Sequence, residues 1–241
     1  MFSDYFYRHI FTFYIINMPY LNWDTKIVTD SSPTALDALY AQGYVATRVD
    51  KGTFNRTRSA RIRLADFSTS SENRRILKKV EGVEMKTYKL PYTNYHWSIH
   101  KLAKDFYTTK FGADTFSANK VKELLTEKDQ SNFNTLLVFR DDKSDKALGY
   151  CIALKTGKML HYSYPFYVLD DSTTVGGPLA SLGLGMMTKA IEWAKSNGLE
   201  YIYLGSLQRP ADTYKLQFAG LEWFDGQKWQ TNIEPLKEIL K

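Results

Sequence analysis

The fold of this chain follows from one stretch near its end, Ser181 to Trp229, which reads SLGLGMMTKAIEWAKSNGLEYIYLGSLQRPADTYKLQFAGLEWFDGQKW. Gly183 and Gly185 open a segment whose apolar residues recur with the period of an amphipathic helix. Gly198 stands where a helix commonly ends in a left-handed cap, and residues 201–204 then read as a short buried strand. We therefore predict a glycine-rich turn and a helix whose free N–H groups hold a phosphate or pyrophosphate.

A strand-like run from His161 to Val168 precedes this helix. A strand, a glycine-rich turn, a crossover helix and another strand imply a mixed α/β sheet. This order is similar to the core of GNAT-type acyltransferases, and the likeness implies a GNAT-like mixed sheet with flanking helices. We assign residues 1–23 to an N-terminal extension, 24–95 to a basic N-terminal αβ lobe, and 96–241 to a GNAT-like catalytic lobe on which the basic lobe packs.

Local patterns predict the other elements of the sheet and its flanking layers. Alternating apolar residues indicate strands, and apolar residues at helical spacing after a capping side chain indicate helices. The predicted helices are 33–43, 94–110 and 117–127; the predicted strand pairs are 43–49 with 57–64, around a turn at 50–55, and 134–141 with 147–154.

The composition restricts the possible chemistry. The chain has 241 residues and one cysteine, Cys151, which excludes an internal disulfide and any all-cysteine metal or iron–sulfur site. Cys151 lies in an apolar run, so we expect a buried, inert thiol and a reducing cytoplasmic environment. Aromatic residues make up 15% of the chain, which favours β-rich packing over stacking surfaces for bases or sugars.

The first residues contain the one possible targeting segment. The uncharged run from Ile10 to Trp23 is too short to span a bilayer and is broken by Asn17 and Pro19. It also lacks a basic start and a cleavage site, so we expect neither a secretory signal nor a membrane partner. An alternative start at Met18 is preferred, with a packed aromatic helix or an interfacial anchor as the other interpretations.

The positive charge is concentrated in one segment. The net charge is +6, and ten Lys and Arg residues lie between Arg48 and Lys79 against three acidic residues. In residues 59–64 apolar and polar side chains alternate, which predicts a half-buried strand with a cationic outer face. A solvated charged face is the plain alternative, but arginine suits bidentate phosphate contacts. The residues predicted to bind RNA phosphates are Arg56, Arg58, Arg61, Arg63, Arg74 and Arg75.

No metal site is predicted. His96 and His100 are four residues apart and can share a helix face, but no third ligand is nearby. The phosphate-loop, nucleophile-elbow and metalloprotease motifs are absent from the sequence, so nucleophilic catalysis has no support.

Three patches of the chain resemble the arginyl-tRNA–protein transferase family and its bacterial leucyl-transferring relatives. They are ALYAQGYVATR with RTRSARIRLADFSTSSENRRILKK (38–79), LGLGMMTKAIEWAKSNGLEYIYLG (182–205) and DTYKLQFAGLEWFDGQKW (212–229). The family's N-terminal cysteine cluster has no counterpart, because Thr53, Phe54 and Asn55 stand in that region. Any metal or cluster regulation carried by those cysteines is therefore absent, and the residues just before Tyr214-Lys215 also differ.

The Tyr-Lys followed by Phe218 also looks like the FemX-type peptidoglycan aminoacyltransferases. These resemblances imply attack of a free amine on the ester of an aminoacyl-tRNA, with no covalent enzyme intermediate and no cofactor. Lys215 is the candidate for stabilising the oxyanion, and Asp212 or Tyr203 for taking or relaying the proton. The implied substrate-binding residues are Gly183, Gly185, Gly205, Gln208, Tyr214 and Phe218.

The implied partners are tRNA and a protein or peptide acceptor. Two alternatives stay open. An acetyl-coenzyme A-dependent N-acetyltransferase uses the same helix N-terminus for the pyrophosphate. A non-catalytic tRNA-binding relative has lost its donor site.

Overall fold

The computed structural model of the chain describes residues 20–169 and 181–241. The predicted extension 1–23 lies outside the described residues except for its last four, and so does the alternative start at Met18. The turn immediately before Ser181 also lies outside them.

A large mixed sheet forms the centre of the described protein, in the order β11-β10-β4-β9-β8-β7-β6-β5, and a small antiparallel sheet has the order β1-β3-β2. The strands are β1 (Asp24–Ile27), β2 (Tyr44–Ala46), β3 (Thr53–Arg56), β4 (Ser59–Arg63), β5 (Val83–Lys89), β6 (Thr135–Asp141), β7 (Ala147–Lys155), β8 (Met159–Tyr167), β9 (Tyr201–Ser206), β10 (Leu221–Phe224) and β11 (Trp229–Gln230). This confirms the predicted mixed α/β sheet with flanking helices.

Helices cover both faces of the large sheet. They are α1 (Pro33–Ala41), α2 (Ser71–Lys79), α3 (Trp97–Phe111), α4 (Ala118–Thr126), α5 (Leu182–Ser196) and α6 (Glu234–Ile239), with a 3₁₀ helix at Pro210–Gln217. One apolar cluster lies under α5 and α6 and includes Val80 just after α2, and the other lies under α1, α3, α4 and the small sheet. Because aromatic rings fill much of the second cluster, packing accounts for many of the chain's aromatic residues.

The helices begin where capping side chains satisfy their first N–H groups. Ser70 and Asn73 form a reciprocal capping box at α2, and Ser117 accepts from the backbone N–H of Lys120 at α4. His96 caps α3 by accepting from the N–H of Ser98, so it precedes the helix on which the sequence had placed it. Within the described residues, no helix has both the length and the apolar character needed to cross a membrane.

The pairing of β4 differs from the sequence prediction. β2 forms its hairpin with β3, where Tyr44 pairs with Arg56, whereas β4 lies between β10 and β9 in the large sheet. The predicted pairing of 43–49 with 57–64 is therefore wrong. The chain leaves the small sheet at Thr57 and Arg58, and β4 is a central strand with partners on both sides. The boundary predicted at residue 95 also does not divide the sheet, because β4 and β5 belong to it.

Candidate active site

A cleft opens where the parallel strands β8 and β9 separate. They pair only from Met159 with Tyr201 to His161 with Tyr203, while β8 continues to Tyr167. The register of β8 against β7 shifts at Ser163, which leaves that residue as a bulge. Pro165 follows and pairs with Cys151 of β7, and a proline is tolerated there because no strand among the described residues pairs with it on its other side.

A chain of buried hydrogen bonds runs from α1 to the bulge. The Tyr40 hydroxyl accepts from the backbone N–H of Ala46 at 3.1 Å and lies 2.7 Å from His161 Nδ1. His161 Nε2 lies 3.3 Å from the Ser163 hydroxyl. In the simplest assignment of protons, Tyr40 donates to Nδ1 and the Nε2 proton is donated to Ser163. The Ser163 hydroxyl hydrogen can then be donated to another group, and the Tyr164 side chain is one such partner.

His161 is neutral in this environment. It is 3% exposed, and burial together with the nearby charge of Lys215 lowers its pKa to about 3. A neutral imidazole that joins Tyr40 to Ser163 is suited to relaying a proton and unsuited to storing one.

This low pKa predicts an acid-dependent loss of stability. The unfolded chain takes up a proton near pH 6.5, whereas folded His161 does so only near pH 3. Its contribution to stability is therefore complete above pH 6.5 and is lost as the pH falls toward 3, about 5 kcal/mol in total. Urea unfolding of wild type between pH 7 and pH 4 measures the slope, which we expect His161→Gln to flatten. Replacing the exposed His96 with glutamine is the control and is expected to leave the slope unchanged; an equal slope in His161→Gln contradicts the assignment.

Lys215 reaches the cleft from the 3₁₀ helix that follows β9. Its ammonium donates to the carbonyl oxygen of Ser206 at 2.7 Å and lies 3.5 Å from Asp212 Oδ1. Burial lowers the pKa of Lys215, and the Asp212 carboxylate opposes that shift. Two of the three donor positions of the ammonium have partners among the described residues, which leaves one for a bound molecule.

Asp212 and Tyr203 were the candidates for taking or relaying the proton, and their contacts favour other roles. Asp212 Oδ2 accepts the backbone N–H groups of Gln208 at 2.9 Å and Arg209 at 3.0 Å, so the carboxylate holds the turn after β9 and orients Lys215. Tyr203 is 2% exposed, and burial raises its pKa to about 12, opposed by Arg61. A phenol this hard to ionise is a poor proton acceptor at neutral pH, so a base role for Tyr203 is not supported.

Arg61 is the main correction to the predicted cationic surface. It is 8% exposed, pairs with Glu222 at 2.6 Å, and lies 4.1 Å from the ring centres of both Tyr201 and Trp229. It also donates to the Tyr203 hydroxyl at 3.3 Å. The outer face of β4 is covered by these groups, so Arg61 is part of the packed interior.

The other predicted arginines differ in their exposure and in their partners. Arg56 donates to the carbonyl oxygen of Gly226 beside the Phe224 ring, and half-buried Arg58 has its pKa lowered by burial. Arg63, Arg74 and Arg75 are exposed. Arg63 pairs with Asp66 and Arg75 with Glu72, while Arg74 donates to the carbonyl oxygen of Thr69.

The glycines at the start of α5 have a packing role. Gly183 and Gly185 lie in the first turn of α5, not in the turn that precedes it. A Cβ at Gly183 would collide with the Tyr167 hydroxyl, and one at Gly185 would lie 2.6 Å from the Val80 side chain. These glycines let α5 approach β8 and the end of α2. Gly205 has φ +78° at the end of β9, beside the irregular pairing with β4.

Three further predicted substrate-binding residues have distinct positions. Phe218 is 3% exposed inside the apolar cluster under α5, so it is a core residue. Tyr214 is 43% exposed beside Lys215, whose Nζ lies 5.6 Å from its ring centre. Gln208 follows β9 and uses its side-chain amide to bind the backbone of Leu21.

The sequence also led us to expect no metal site at His96 and His100 and a buried, inert thiol at Cys151. His100 stacks on Tyr95. Among the described residues, no group of three potential ligands is close enough together to hold a metal ion. Cys151 is fully buried, and burial raises the pKa of its thiol, as expected for an inert residue.

Sequence reasoning missed Tyr40, His161 and Ser163 as site residues. Tyr40 and His161 are 121 residues apart and meet only through tertiary contacts, and His161 and Ser163 are close only because both lie on β8, so no local motif marks the three. One signal was available. Pro165 lies inside a strongly apolar and aromatic strand, which indicates a position without a neighbouring strand on one side.

Comparison with known proteins gives one similar sequence of assigned function. No family profile matches the chain. Over 226 residues it is 25% identical to an aspartate/glutamate leucyltransferase from Alkalilimnicola ehrlichii, covering 88% of this chain and 91% of that protein. The chain is therefore similar in sequence to a leucyltransferase, and membership of the arginyl-tRNA–protein transferase family stays a prediction.

Several solved structures align with parts of the chain. FemX aligns with 9% identity over 71% of this chain and 59% of its own, with a TM-score of 0.42. L-PGS from Bacillus licheniformis aligns with 12% identity over 72% and 51%, with a TM-score of 0.40. A GCN5-related glucosamine N-acetyltransferase region of a fungal GH3 β-N-acetylglucosaminidase aligns with 13% identity over 86% and 23%, with a TM-score of 0.45. The chain thus spans about half the length of L-PGS.

Proposed function

We propose that this protein transfers an aminoacyl group from a charged tRNA to an amine of a protein or peptide. The observation that carries the proposal is the cleft between β8 and β9, where a buried lysine faces a neutral histidine relay. The similarity to a leucyltransferase along nearly the whole chain supports the donor class.

The chemistry joins an amine to an ester carbonyl carbon and releases the ribose hydroxyl of the tRNA. As the C–N bond forms, negative charge develops on the carbonyl oxygen, and the remaining donor of Lys215 stabilises it. The attacking amine loses a proton and the leaving ribose oxygen gains one. Ser163 and His161 pass this proton on, so no group needs to hold it. Asp212 positions the ammonium of Lys215.

The donor and the acceptor are assigned to opposite faces of the large sheet. α5 crosses from β8 to β9 on one face, and its first turn packs on Val80 at the end of α2. We assign the donor to this face, because the last turn of α2, which carries Lys78 and Lys79, then lies beside the N-terminus of α5, while Thr69 at the start of α2 lies beside Glu192 farther along α5. The Tyr40–His161–Ser163 relay lies on the other face, which we assign to the acceptor.

Binding of tRNA is therefore expected to depend on α2. Replacing Arg74 and Arg75 with glutamate should weaken tRNA binding and reduce the salt slope by about 0.7–0.9 for each phosphate that is no longer neutralised. Filter binding of total tRNA from about 50 to 200 mM salt measures this. The control is Lys101→Glu with Lys104→Glu, two exposed lysines of α3 on the opposite face. Equal weakening in both double variants would mean that only net charge matters.

The direct test is incubation with a mixture of charged tRNAs and a cell lysate, followed by radiolabel incorporation for each amino acid. Incorporation that requires both charged tRNA and Lys215 supports the proposal, and incorporation of none of the amino acids contradicts it.

An acetyl-coenzyme A-dependent N-acetyltransferase is the second candidate, because the N-terminus of α5 also suits a pyrophosphate. Calorimetric titration separates the candidates. Tight coenzyme A binding favours acetyl transfer, whereas tRNA binding without transfer favours a non-catalytic relative.

A further inference from the structure

A short peptide segment of the chain lies at the mouth of the candidate active site. The backbone N–H of Leu21 donates to Gln208 Oε1 at 2.8 Å, and Gln208 Nε2 donates back to the Leu21 carbonyl at 3.3 Å. The Thr57 hydroxyl donates to the same carbonyl at 2.6 Å. Gln208 Nε2 also lies 2.9 Å from Thr57 Oγ1, which fixes the two side chains against each other.

These contacts recognise only backbone atoms. A side-chain amide that accepts from one N–H and donates to the C=O of the same residue imitates a neighbouring β-strand. Nothing in the arrangement depends on the leucine side chain, which is only half-buried. Gln208 and Thr57 therefore form a subsite that fits any extended peptide.

The residue before Leu21 lies close to the groups that hold Lys215. The hydroxyl of Tyr20 lies beside Thr57 and Ser206, and its charged neighbour is Asp212. Ser206 and Asp212 are also the two partners of Lys215. A peptide bound like Leu21 thus places the side chain of its preceding residue beside the two partners of Lys215.

The attachment of this segment is separate from that of the strand that follows it. The Trp23 N–H donates to the Arg56 carbonyl, and β1 pairs with β3 from Asp24 onward. Leu21, in contrast, is held by two side chains. It can leave its subsite without unpairing β1.

We propose that Tyr20 and Leu21 occupy the acceptor groove in cis, so that the protein limits its own transfer until the segment leaves. The identity of the groove rests on the proposed function. The self-occupancy itself rests on the contacts of Gln208 and Thr57, and it predicts competition between the segment and an added peptide.

The test compares two substitutions at one position in the full chain. Leu21→Pro removes the N–H donated to Gln208, whereas Leu21→Ala keeps the backbone contacts and serves as the control. The probe is the peptide Tyr-Leu-Asn-Trp with a free α-amine and a C-terminal fluorophore. We expect it to bind Leu21→Pro about fivefold more tightly than wild type, the effect of removing one competing hydrogen bond. Leu21→Ala should match wild type, and adding Gln208→Ala to Leu21→Pro should weaken binding again.

A second measurement needs no variant. In the wild-type protein, saturating peptide should speed hydrogen exchange at the Leu21 amide by displacing it, while the paired amides of β1 stay protected.

The outcomes separate the two proposals. Peptide binding that is unchanged by both Leu21→Pro and Gln208→Ala overturns the inference, as does unchanged exchange at Leu21. If the peptide behaves as expected but no charged tRNA supports transfer, the self-occupancy stands and the proposed function fails. If charged tRNA supports transfer but Leu21→Pro leaves the transfer rate unchanged, the proposed function stands and the self-occupancy fails.

Discussion

Replacing Lys215 with alanine is expected to lower the rate of aminoacyl transfer by about 10²–10³-fold while leaving tRNA binding intact. The ammonium is buried and already held by Ser206 and Asp212, so it is fixed in place before substrate binds. A preorganised charge in a desolvated site stabilises a developing oxyanion far more than a mobile surface lysine does. Single-turnover transfer from a charged tRNA measures the effect.

Two further variants separate charge from packing at this position. Lys215→Met keeps most of the buried stem without the charge, and we expect it to fold and to lose transfer as Lys215→Ala does. Lys237→Ala removes an exposed lysine that is paired with Glu234, and it should transfer normally. Wild-type transfer by Lys215→Met would exclude Lys215 from the mechanism.

The pH profile tests the same group. Because burial lowers the pKa of Lys215, the ammonium is lost as the pH rises through a value below the ordinary 10.5. The rate should therefore fall on the alkaline side at a lower pH than for an exposed lysine. Lys215→Arg keeps its charge throughout that range, so any residual activity should lack the alkaline fall.

Replacing Arg61 with alanine is expected to lower the free energy of unfolding by about 3 kcal/mol, because it leaves the carboxylate of Glu222 without its partner in a largely enclosed site. The same change removes the guanidinium stacked between Tyr201 and Trp229. Urea unfolding at neutral pH measures the loss.

The matched control is Arg63→Ala, two residues along the same strand. Its pair with Asp66 is exposed, so the change should cost less than about 1 kcal/mol. The double variant Arg61→Met with Glu222→Leu should recover much of the stability, since it removes both charges together. If Arg61→Ala and Arg63→Ala are equally stable, the buried pair has no special energetic role.

Local structure was largely predictable from the sequence. Helices at 33–43, 94–110 and 117–127 are found as Pro33–Ala41, Trp97–Phe111 and Ala118–Thr126. Their caps and apolar spacing are encoded within a few residues, so short windows are sufficient. The crossover helix and its flanking strands were predictable for the same reason.

The candidate site was predictable only in part. Lys215 lies in a segment with a recognisable Tyr-Lys, and its place in the cleft was expected. His161, Tyr40 and Ser163 lie in the cleft because β8 bulges and separates from β9. That separation depends on which strands pair, and pairing joins residues far apart in the chain.

Arg61 shows most clearly which features the sequence pattern predicts and which depend on tertiary packing. The alternation in residues 59–64 correctly indicated a strand, because a period of two is a property of the backbone alone. It could not tell which face meets water. β10, β11 and β9 bring Glu222, Trp229 and Tyr201 onto the face that carries Arg61, and they cover it. The sequence by itself therefore determined the elements and the concentration of charge. Tertiary structure alone decided which arginines reach solvent and which polar groups meet in the cleft, because burial is a property of the assembled sheet.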